Sequence, residues 1–195
     1  MIGNDIVDIS LAKKQSDWQR RGFLDKIFTC AEQEQIASAI NPFQMVWTMW
    51  SMKESTYKVL IQKGYKRFNN PRKLECALDT FYKGCVSAFD EQFITSTQQH
   101  SDYIFTTAKL LAHSKTSTQS KVFSLDVDPS DLRSKAAYQE LKQYLTLLKG
   151  WNLDSLKVKK TIRGVPQIFY NNTYLEIPLS LTHHGKFGAF SITVN

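Results

Sequence analysis

Two acidic residues among apolar neighbours constrain the fold more than any other feature of this chain. Asp5 lies within the strand-like run 2–9, and Glu54 lies within the aromatic, helix-like run 50–58. Acidic side chains are rarely buried among apolar neighbours unless they are paired or bind a metal. One carboxylate from a strand and one from a helix make a candidate Mg²⁺ site. Lys58, one helical turn beyond Glu54, suggests that the metal would carry a phosphate.

Asp5 also has a simpler structural explanation. An acidic residue near a strand end can cap the following turn, but Asp8, next to Ser10, is better placed for that role. Gly3 lies on the same strand face as Asp5 and leaves space for the close approach of a ligand. We therefore keep Asp5 as the candidate metal ligand.

Glu54 could instead form a surface ion pair with Lys58, an arrangement that contributes about 0.2–0.5 kcal/mol. However, Trp47 and Trp50 lie at helical spacing from Glu54 and share its stripe. Two tryptophans should face the core, and a charged pair on the aromatic side of a helix is unusual. This placement favours a functional carboxylate.

Composition indicates a globular protein. The 195 residues are 42% hydrophobic and 22% charged, enough for one substantial core or two small ones. No apolar run approaches the roughly 20 residues that span a bilayer, and we expect neither a secretory segment nor a membrane partner. The three cysteines show no CxxC spacing and read as reduced thiols. We expect a cytoplasmic location.

The chain is basic, with a net charge of +7 and a pI of about 9.3. This charge favours an acidic partner, such as nucleic acid, an anionic cofactor or an acidic protein, although a solvated basic surface is equally compatible with it. Lysines and arginines are spread along the chain without a nucleic-acid motif, and most aromatic residues occupy core-facing positions. We do not expect nucleic acid to be the partner.

The residue pattern predicts an α+β protein. Thr29 and Glu32 form a capping box that begins a helix extending to about Ile40, and Gly64 ends a longer helix. Alternation, turn residues and polar stretches predict the other elements. These are a strand at 2–9, the long helix at 43–63, hairpins over 74–111, a linker at 113–121, a strand at 122–126, a helix opened by Asp128 and ended by Gly150, strands at 156–158 and 167–170, a hairpin turn at 171–172, and strands at 177–183 and 189–193.

Thr182 and His183 end a predicted strand. Together they can form a phosphate-binding pair, although a single histidine more often has a structural role. His184 follows directly and should project to the opposite side of an extended chain, which argues against a bidentate zinc site. Nucleotide-binding glycine loops and the nucleophile elbow are both missing from the sequence.

The two carboxylate segments resemble the signature motifs of 4′-phosphopantetheinyl transferases. Residues 2–9 and 50–58 match the two motifs in order, and residues 23–32 look like the segment between them in the holo-acyl-carrier-protein synthase type. The resemblance covers residues 1–65. It implies a 4′-phosphopantetheinyl transferase-like α+β fold.

The second half resembles the N-terminal half of the larger, surfactin-synthetase-activating type of the same superfamily. The similarity rests on the helix 132–148, the turn 163–166 and the SxTH motif at 180–183. In that type this half comes first, so the order here is reversed. We interpret the chain as a circularly permuted form with two pseudo-symmetric halves, each with a small antiparallel sheet packed on helices. The halves are 1–112, which carries the carboxylates, and 122–195, joined by the linker 113–121.

The resemblance implies an activity, a cofactor and roles for residues. The family transfers the phosphopantetheine arm of coenzyme A to a serine of an acidic apo acyl or peptidyl carrier protein, as in fatty acid biosynthesis, and releases adenosine 3′,5′-bisphosphate. Asp5 and Glu54 would hold Mg²⁺, and Glu54 would help to deprotonate the serine. The CoA phosphates would be bound by Lys58, Arg163, Thr182 and His183.

Some expectations stay open at this stage. The larger type has lysine where this chain has Val165, and Arg163 is a candidate to supply that charge. Asp8 is an uncertain additional metal ligand, and Mn²⁺ would suit the site as well as Mg²⁺. The alternative function is a non-catalytic CoA-binding or carrier-binding relative. Two halves in one chain predict a monomer, with the homotrimer of the small synthase type as the alternative.

Overall fold

A computed structural model describes residues 1–80, 82–125 and 130–194, and it has the mixed helix and antiparallel-sheet architecture that the sequence predicts. Within those residues, no helix is long and apolar enough to cross a membrane. The helices are α1 (Ile9–Gln15), α2 (Phe23–Ile27), α3 (Cys30–Ser38), α4 (Pro42–Lys63) and α5 (Ser130–Lys149). The strands are β1 (Gly3–Asp8), β2 (Glu75–Leu78), β3 (Lys83–Ala88), β4 (Glu91–Gln99), β5 (Tyr103–Leu110), β6 (Thr118–Ser124), β7 (Leu156–Lys160), β8 (Pro166–Tyr170), β9 (Thr173–Leu175), β10 (Leu179–His184) and β11 (Phe187–Thr193).

The first half is a five-stranded antiparallel sheet with the long helix α4 across one face. The strand order is β1-β5-β4-β3-β2, so β1 lies at an edge and pairs with β5 from Gly3↔Ala108 to Asp8↔Tyr103. The sequence-based expectation that Gly3 makes room for a ligand is wrong. A Cβ atom at this position would overlap the backbone carbonyl of Ser55, so Gly3 lets α4 pack directly on the strand.

Helix boundaries in this half follow the local signals in the sequence. The predicted capping box is present: the Thr29 hydroxyl accepts from the Glu32 amide at 3.4 Å, and the Glu32 carboxylate accepts from the Thr29 amide at 2.7 Å. Helix α4 begins after Asn41, whose side chain accepts from the Gln44 amide, and it ends at Gly64 in the left-handed conformation. These caps fix both ends of α4 and therefore which of its residues face the sheet.

The second half contains two small antiparallel sheets, ordered β10-β11-β6 and β7-β8-β9, and helix α5. Leu141 and Leu145 of α5 are fully buried in a core with Ile168 of β8 and Phe190 of β11. The first half has a separate core beneath α4. A third, smaller cluster joins the halves, consisting of Ile6, Phe105, Phe187 and Ala189.

Strands β1 and β10 lie side by side where the two halves meet. The Asn4 amide donates to the Ser180 hydroxyl at 3.0 Å, and the Asp8 amide donates to Nδ1 of His184 at 2.9 Å. At the start of the two strands, the Gln62 side chain of α4 donates to the carbonyls of Ile2, just before β1, and of Leu179, the first residue of β10. Side chains therefore connect two sheet edges at this seam and satisfy backbone groups that burial would otherwise leave unpaired.

Several predicted boundaries differ from the structure. The predicted linker 113–121 is too long, because residues 118–121 belong to β6, where they pair with β11 in spite of their polar composition. The turn at 171–172 is confirmed by positive φ at both asparagines, but it leads into the short strand β9 before β10 begins. Helix α1, which Asp8 caps, was not predicted. The strand end at Asp126 and the helix start at Asp128 lie outside the described residues.

A buried ion pair fixes α4 to the elements beside it. Lys53 and Glu32 are each 1% exposed, and their side chains lie 2.8 Å apart. The Lys53 ammonium also donates to the Leu74 carbonyl at 2.6 Å and to the Pro71 carbonyl at 3.2 Å, and Glu32 accepts from the Cys76 amide at 2.7 Å. Since Lys53 directly precedes Glu54, this network holds the part of α4 that carries the candidate site.

We predict that Lys53→Met destabilises the protein by about 3–5 kcal/mol, because it leaves a buried carboxylate without its cation. Urea unfolding at pH 7 measures the change. The double variant Lys53→Met/Glu32→Gln should recover part of the loss, since it removes the unpaired charge. Equal stability of Lys53→Met and the native protein would contradict the importance of this pair.

Candidate functional site

Asp5 lies at the seam, where the structure brings three of the predicted site residues together. Its Oδ1 accepts from the Thr182 hydroxyl at 3.3 Å and lies 3.4 Å from the Lys58 ammonium. Lys58 also donates to the Asn4 carbonyl at 2.6 Å. Burial raises the pKa of Asp5, while the charge of Lys58 and hydrogen bonds from Lys58, Ser51 and Thr182 oppose the rise.

Glu54 lies one helical turn before Lys58 on α4, where it is mostly buried. Among the residues that the structure describes, its carboxylate has no hydrogen-bond or ion-pair partner. Burial, together with the negative charge of Asp5, raises the pKa of Glu54 to about 7, and Lys58 offsets only part of the rise. A carboxylate of this kind is half ionised near neutral pH and is suited to exchange a proton or to bind a cation.

The cation-binding capacity of the two carboxylates follows from their chemistry. They repel each other, and Glu54 has oxygen atoms that are not used in the fold. Three or more potential metal-ligating side chains do not cluster anywhere in the described parts of the chain. Two carboxylates with water completing the shell suit Mg²⁺, which usually keeps several waters, so the residues present fit this ion.

A cavity of about 430 Å³ opens beside Asp5 and lies between α4 and the second half. All four residues predicted to bind the CoA phosphates line it, namely Lys58, Arg163, Thr182 and His183. Arg67 and Lys160 add two further positive charges. No acidic residue appears among the described residues that line this cavity, so its walls are suited to a polyanion.

His183 contributes a neutral donor or acceptor to this cavity. Burial lowers its pKa, and so do the nearby charges of Arg133, Lys160 and Lys58. Its Nε2 lies 3.3 Å from the Ser134 hydroxyl of α5. An anion bound in the cavity would reverse this electrostatic effect and favour the protonated ring.

Asp8 and His184 have structural roles. Asp8 accepts from the Leu11 amide and the Ser10 hydroxyl as the cap of α1, and its other oxygen accepts from the Lys186 amide. His184 accepts from the Asp8 amide. These bonds use both Asp8 oxygens at the end of the seam, which leaves Asp5 and Glu54 as the candidate pair.

Sequence reasoning missed Arg67 and Lys160 as cavity residues. Arg67 follows α4, and its guanidinium reaches the turn of the second half that contains Arg163. Lys160 ends β7, within the small basic cluster of that strand. The excess of positive charge was the only available signal, and it does not indicate which cations lie close together.

A second cavity of about 670 Å³ lies on the other side of Tyr57, which lines both cavities. Glu54 lies in its wall with Trp50 and Phe68. Its rim carries three cations, Arg20, Arg21 and Lys26. Glu54 thus lines the second cavity, whereas Asp5 contacts Lys58 and Thr182 in the wall of the first.

Comparison with known proteins agrees with the motifs. A sequence profile of the 4′-phosphopantetheinyl transferase superfamily matches residues 1–117, more than half of the chain. No curated protein sequence matches this chain.

Solved structures with similarity to the chain include three holo-[acyl-carrier-protein] synthases. The enzyme from Neisseria meningitidis is 17% identical, with a TM-score of 0.47 over 56% of this chain and 95% of that one. The Helicobacter pylori enzyme, solved in complex with coenzyme A, is 17% identical, with a TM-score of 0.46 over 56% and 99%. The Thermotoga maritima enzyme is 13% identical, with a TM-score of 0.44 over 89% and 83%. Because these values are low, the family assignment rests on the profile match.

We predict that Glu54→Gln stabilises the metal-free protein at pH 8 by about 1–3 kcal/mol and has little effect at pH 5. The folded protein binds the Glu54 proton more tightly than the unfolded chain does. Its contribution to stability is therefore complete below about pH 4.5 and is lost as the pH rises through about 7. Urea unfolding in EDTA at both pH values measures this, with the exposed Glu34→Gln as control. A gain of equal size at both pH values would contradict the raised pKa.

Proposed function

Since the chain belongs to the 4′-phosphopantetheinyl transferase superfamily, we propose that it transfers the 4′-phosphopantetheine arm of coenzyme A to a serine of an apo acyl carrier protein. One observation carries the proposal: a cavity lined by four cations lies beside the buried Asp5, which contacts Lys58 and Thr182 in its wall, and the half-buried Glu54 lies one helical turn before Lys58. Coenzyme A carries phosphates on both sides of its ribose, and such a cavity suits that distribution of charge.

In this proposal the phosphates lie in the first cavity. Lys58 donates to the pyrophosphate, and Thr182 and His183 donate to the nucleotide phosphates. Lys58 and Thr182 already contact Asp5, so each can move between the carboxylate and a bound phosphate by a small displacement. Because these donors already lie beside the cavity before a substrate binds, they need little rearrangement to stabilise the charge that develops on the leaving phosphate.

Asp5 and Glu54 would hold Mg²⁺, which supplies charge neutralisation at the pyrophosphate when it is bound. Glu54 accepts the proton of the carrier serine, directly or through a water, because its pKa is near the working pH. The serine oxygen forms a bond to the phosphorus atom that carries the pantetheine arm. The phosphoanhydride bond breaks, and adenosine 3′,5′-bisphosphate leaves with the bonding electrons.

The carrier protein would dock at the second cavity. Its serine has to reach Glu54, which lies in the wall of that cavity. The cations on the rim are suited to an acidic carrier surface. Arg20 lies 5.5 Å from the centre of the Phe23 ring, so a cation–π contact orients it in advance.

We further propose that the two halves are a permuted pair and that a monomer is competent. Residues on α4, β10 and the turn after β7 line one cavity within a single chain. The predicted division, 1–112 and 122–195, then places the carboxylates in one half and the SxTH residues in the other.

The activity is tested by the intact mass of an apo acyl carrier protein after incubation with this protein, CoA and Mg²⁺. We expect the carrier to gain one phosphopantetheine arm, and we expect EDTA to prevent the gain. Glu54→Gln should slow transfer by about 10²-fold or more, because it removes a general base, whereas Glu34→Gln should transfer normally.

Light scattering of the active fraction should give about the mass of one chain, 22.5 kDa. CoA binding without transfer to any of several carriers would instead support the non-catalytic relative. A trimer as the only active species would contradict the proposed competent monomer.

The docking proposal predicts that Arg21→Glu raises the KM for the carrier on the order of tenfold while the Kd for CoA stays unchanged, because only the carrier meets the rim. Transfer kinetics and calorimetry measure the two quantities. Lys115→Glu, in the turn between β5 and β6, changes the net charge equally and should leave both unaffected. An unchanged KM in Arg21→Glu would show that the carrier docks on another surface.

A further inference from the structure

The turn at 161–165 lies in the wall of the first cavity, where it meets a side chain from the other half of the chain. Two arginines lie beside this turn in the first cavity: Arg163 from the turn itself and Arg67 from the segment after α4. Their contacts differ in a way that assigns them different roles.

The Arg163 guanidinium is directed at the end of α4. Its Nη1 donates to the carbonyl of Gly64 at 2.9 Å. Carbonyl groups at a helix C-terminus lack intrahelical partners and carry partial negative charge, so they bind a cation favourably. A Cβ atom at Gly64 would lie 3.1 Å from this Nη1, which shows how closely the turn approaches the helix end.

Arg67 makes the reciprocal contact from the first half. Its Nη2 donates to the Arg163 carbonyl at 3.0 Å, and a Cβ atom at Gly164 would lie 2.9 Å from the same nitrogen. A guanidinium has five N–H donors in a planar fork. One bond to a carbonyl therefore orients Arg67 and leaves donors for a bidentate contact with a phosphate.

We infer that Arg67 is a phosphate-binding residue of the CoA site and that Arg163 is a positioning residue that holds the turn, and Arg67 with it, against α4. This inference rests on the proposed function. A pair of arginine–carbonyl bonds between the two halves thus places the positive charge of Arg67 beside the turn of the other half.

Calorimetry with adenosine 3′,5′-bisphosphate and with CoA tests the role of Arg67. Arg67→Ala should weaken binding of both ligands roughly tenfold or more, because a charge-assisted bond to phosphate is lost. The loss should shrink as salt concentration rises. Lys66→Ala removes the same charge from the neighbouring exposed position and should change binding less than twofold. The kcat of Arg67→Ala at saturating CoA should fall less than threefold, since ground-state and transition-state binding are lost equally.

A double-mutant cycle tests the role of Arg163. If Arg163 acts through Arg67, Arg163→Gln weakens binding in the native background but adds less than about threefold to the loss in Arg67→Ala. Losses that multiply would show that Arg163 contacts the ligand independently and would overturn its positioning role.

The results separate failure of this inference from failure of the proposed function. If the native protein binds both ligands and Arg67→Ala binds them within twofold of it, Arg67 is not a phosphate residue and the proposed function stands. If the native protein binds neither ligand, the proposed function fails, and the inference fails with it.

Discussion

The contact between strands β1 and β10 determines both the fold and the candidate site. All six residues of β1 are buried, and the strand pairs with β5 along one edge. At its other edge, Ser180 and His184 accept hydrogen bonds from β1 amides. Since unpaired buried amides are costly, these two side chains help to bind the second half to the first. The same contact brings Thr182 to Asp5.

The two carboxylates have limited access to water, since Asp5 is buried at the seam and Glu54 is half-buried on α4. Asp5 and Glu54 both have raised pKa values, because burial disfavours their charged forms. Ionisation of these carboxylates therefore lowers the free energy of unfolding of the metal-free protein. The Lys53–Glu32 pair, which joins α4 to α3 and to the segment before β2, resists distortion of the helix that carries one of them. A bound cation would relieve the repulsion between the two carboxylates and would therefore stabilise the folded protein.

Positive charge around the first cavity comes from both halves of the chain. Lys58 and Arg67 belong to the carboxylate half, while Lys160 and Arg163 belong to the other half. The arginine pair also ties the halves together through backbone carbonyls at the end of α4 and in the turn after β7. The two arginines thus contribute charge to the cavity and also connect its two sides.

The sequence by itself determined the features that depend on local chemistry. The capping box at Thr29, the end of α4 at Gly64 and the placement of Glu54 and Lys58 on one stripe follow from short-range hydrogen bonding and helical periodicity. Tertiary structure decided what depends on packing between distant segments. Residues 118–121 look like a polar linker but form β6, because an edge of β11 is available to pair with them. Gly3 allows helix α4 to pack closely on β1, and Arg67 contacts a turn 96 positions away in the chain. Neither contact could be predicted, because contacts between distant segments leave no periodic signal in the sequence.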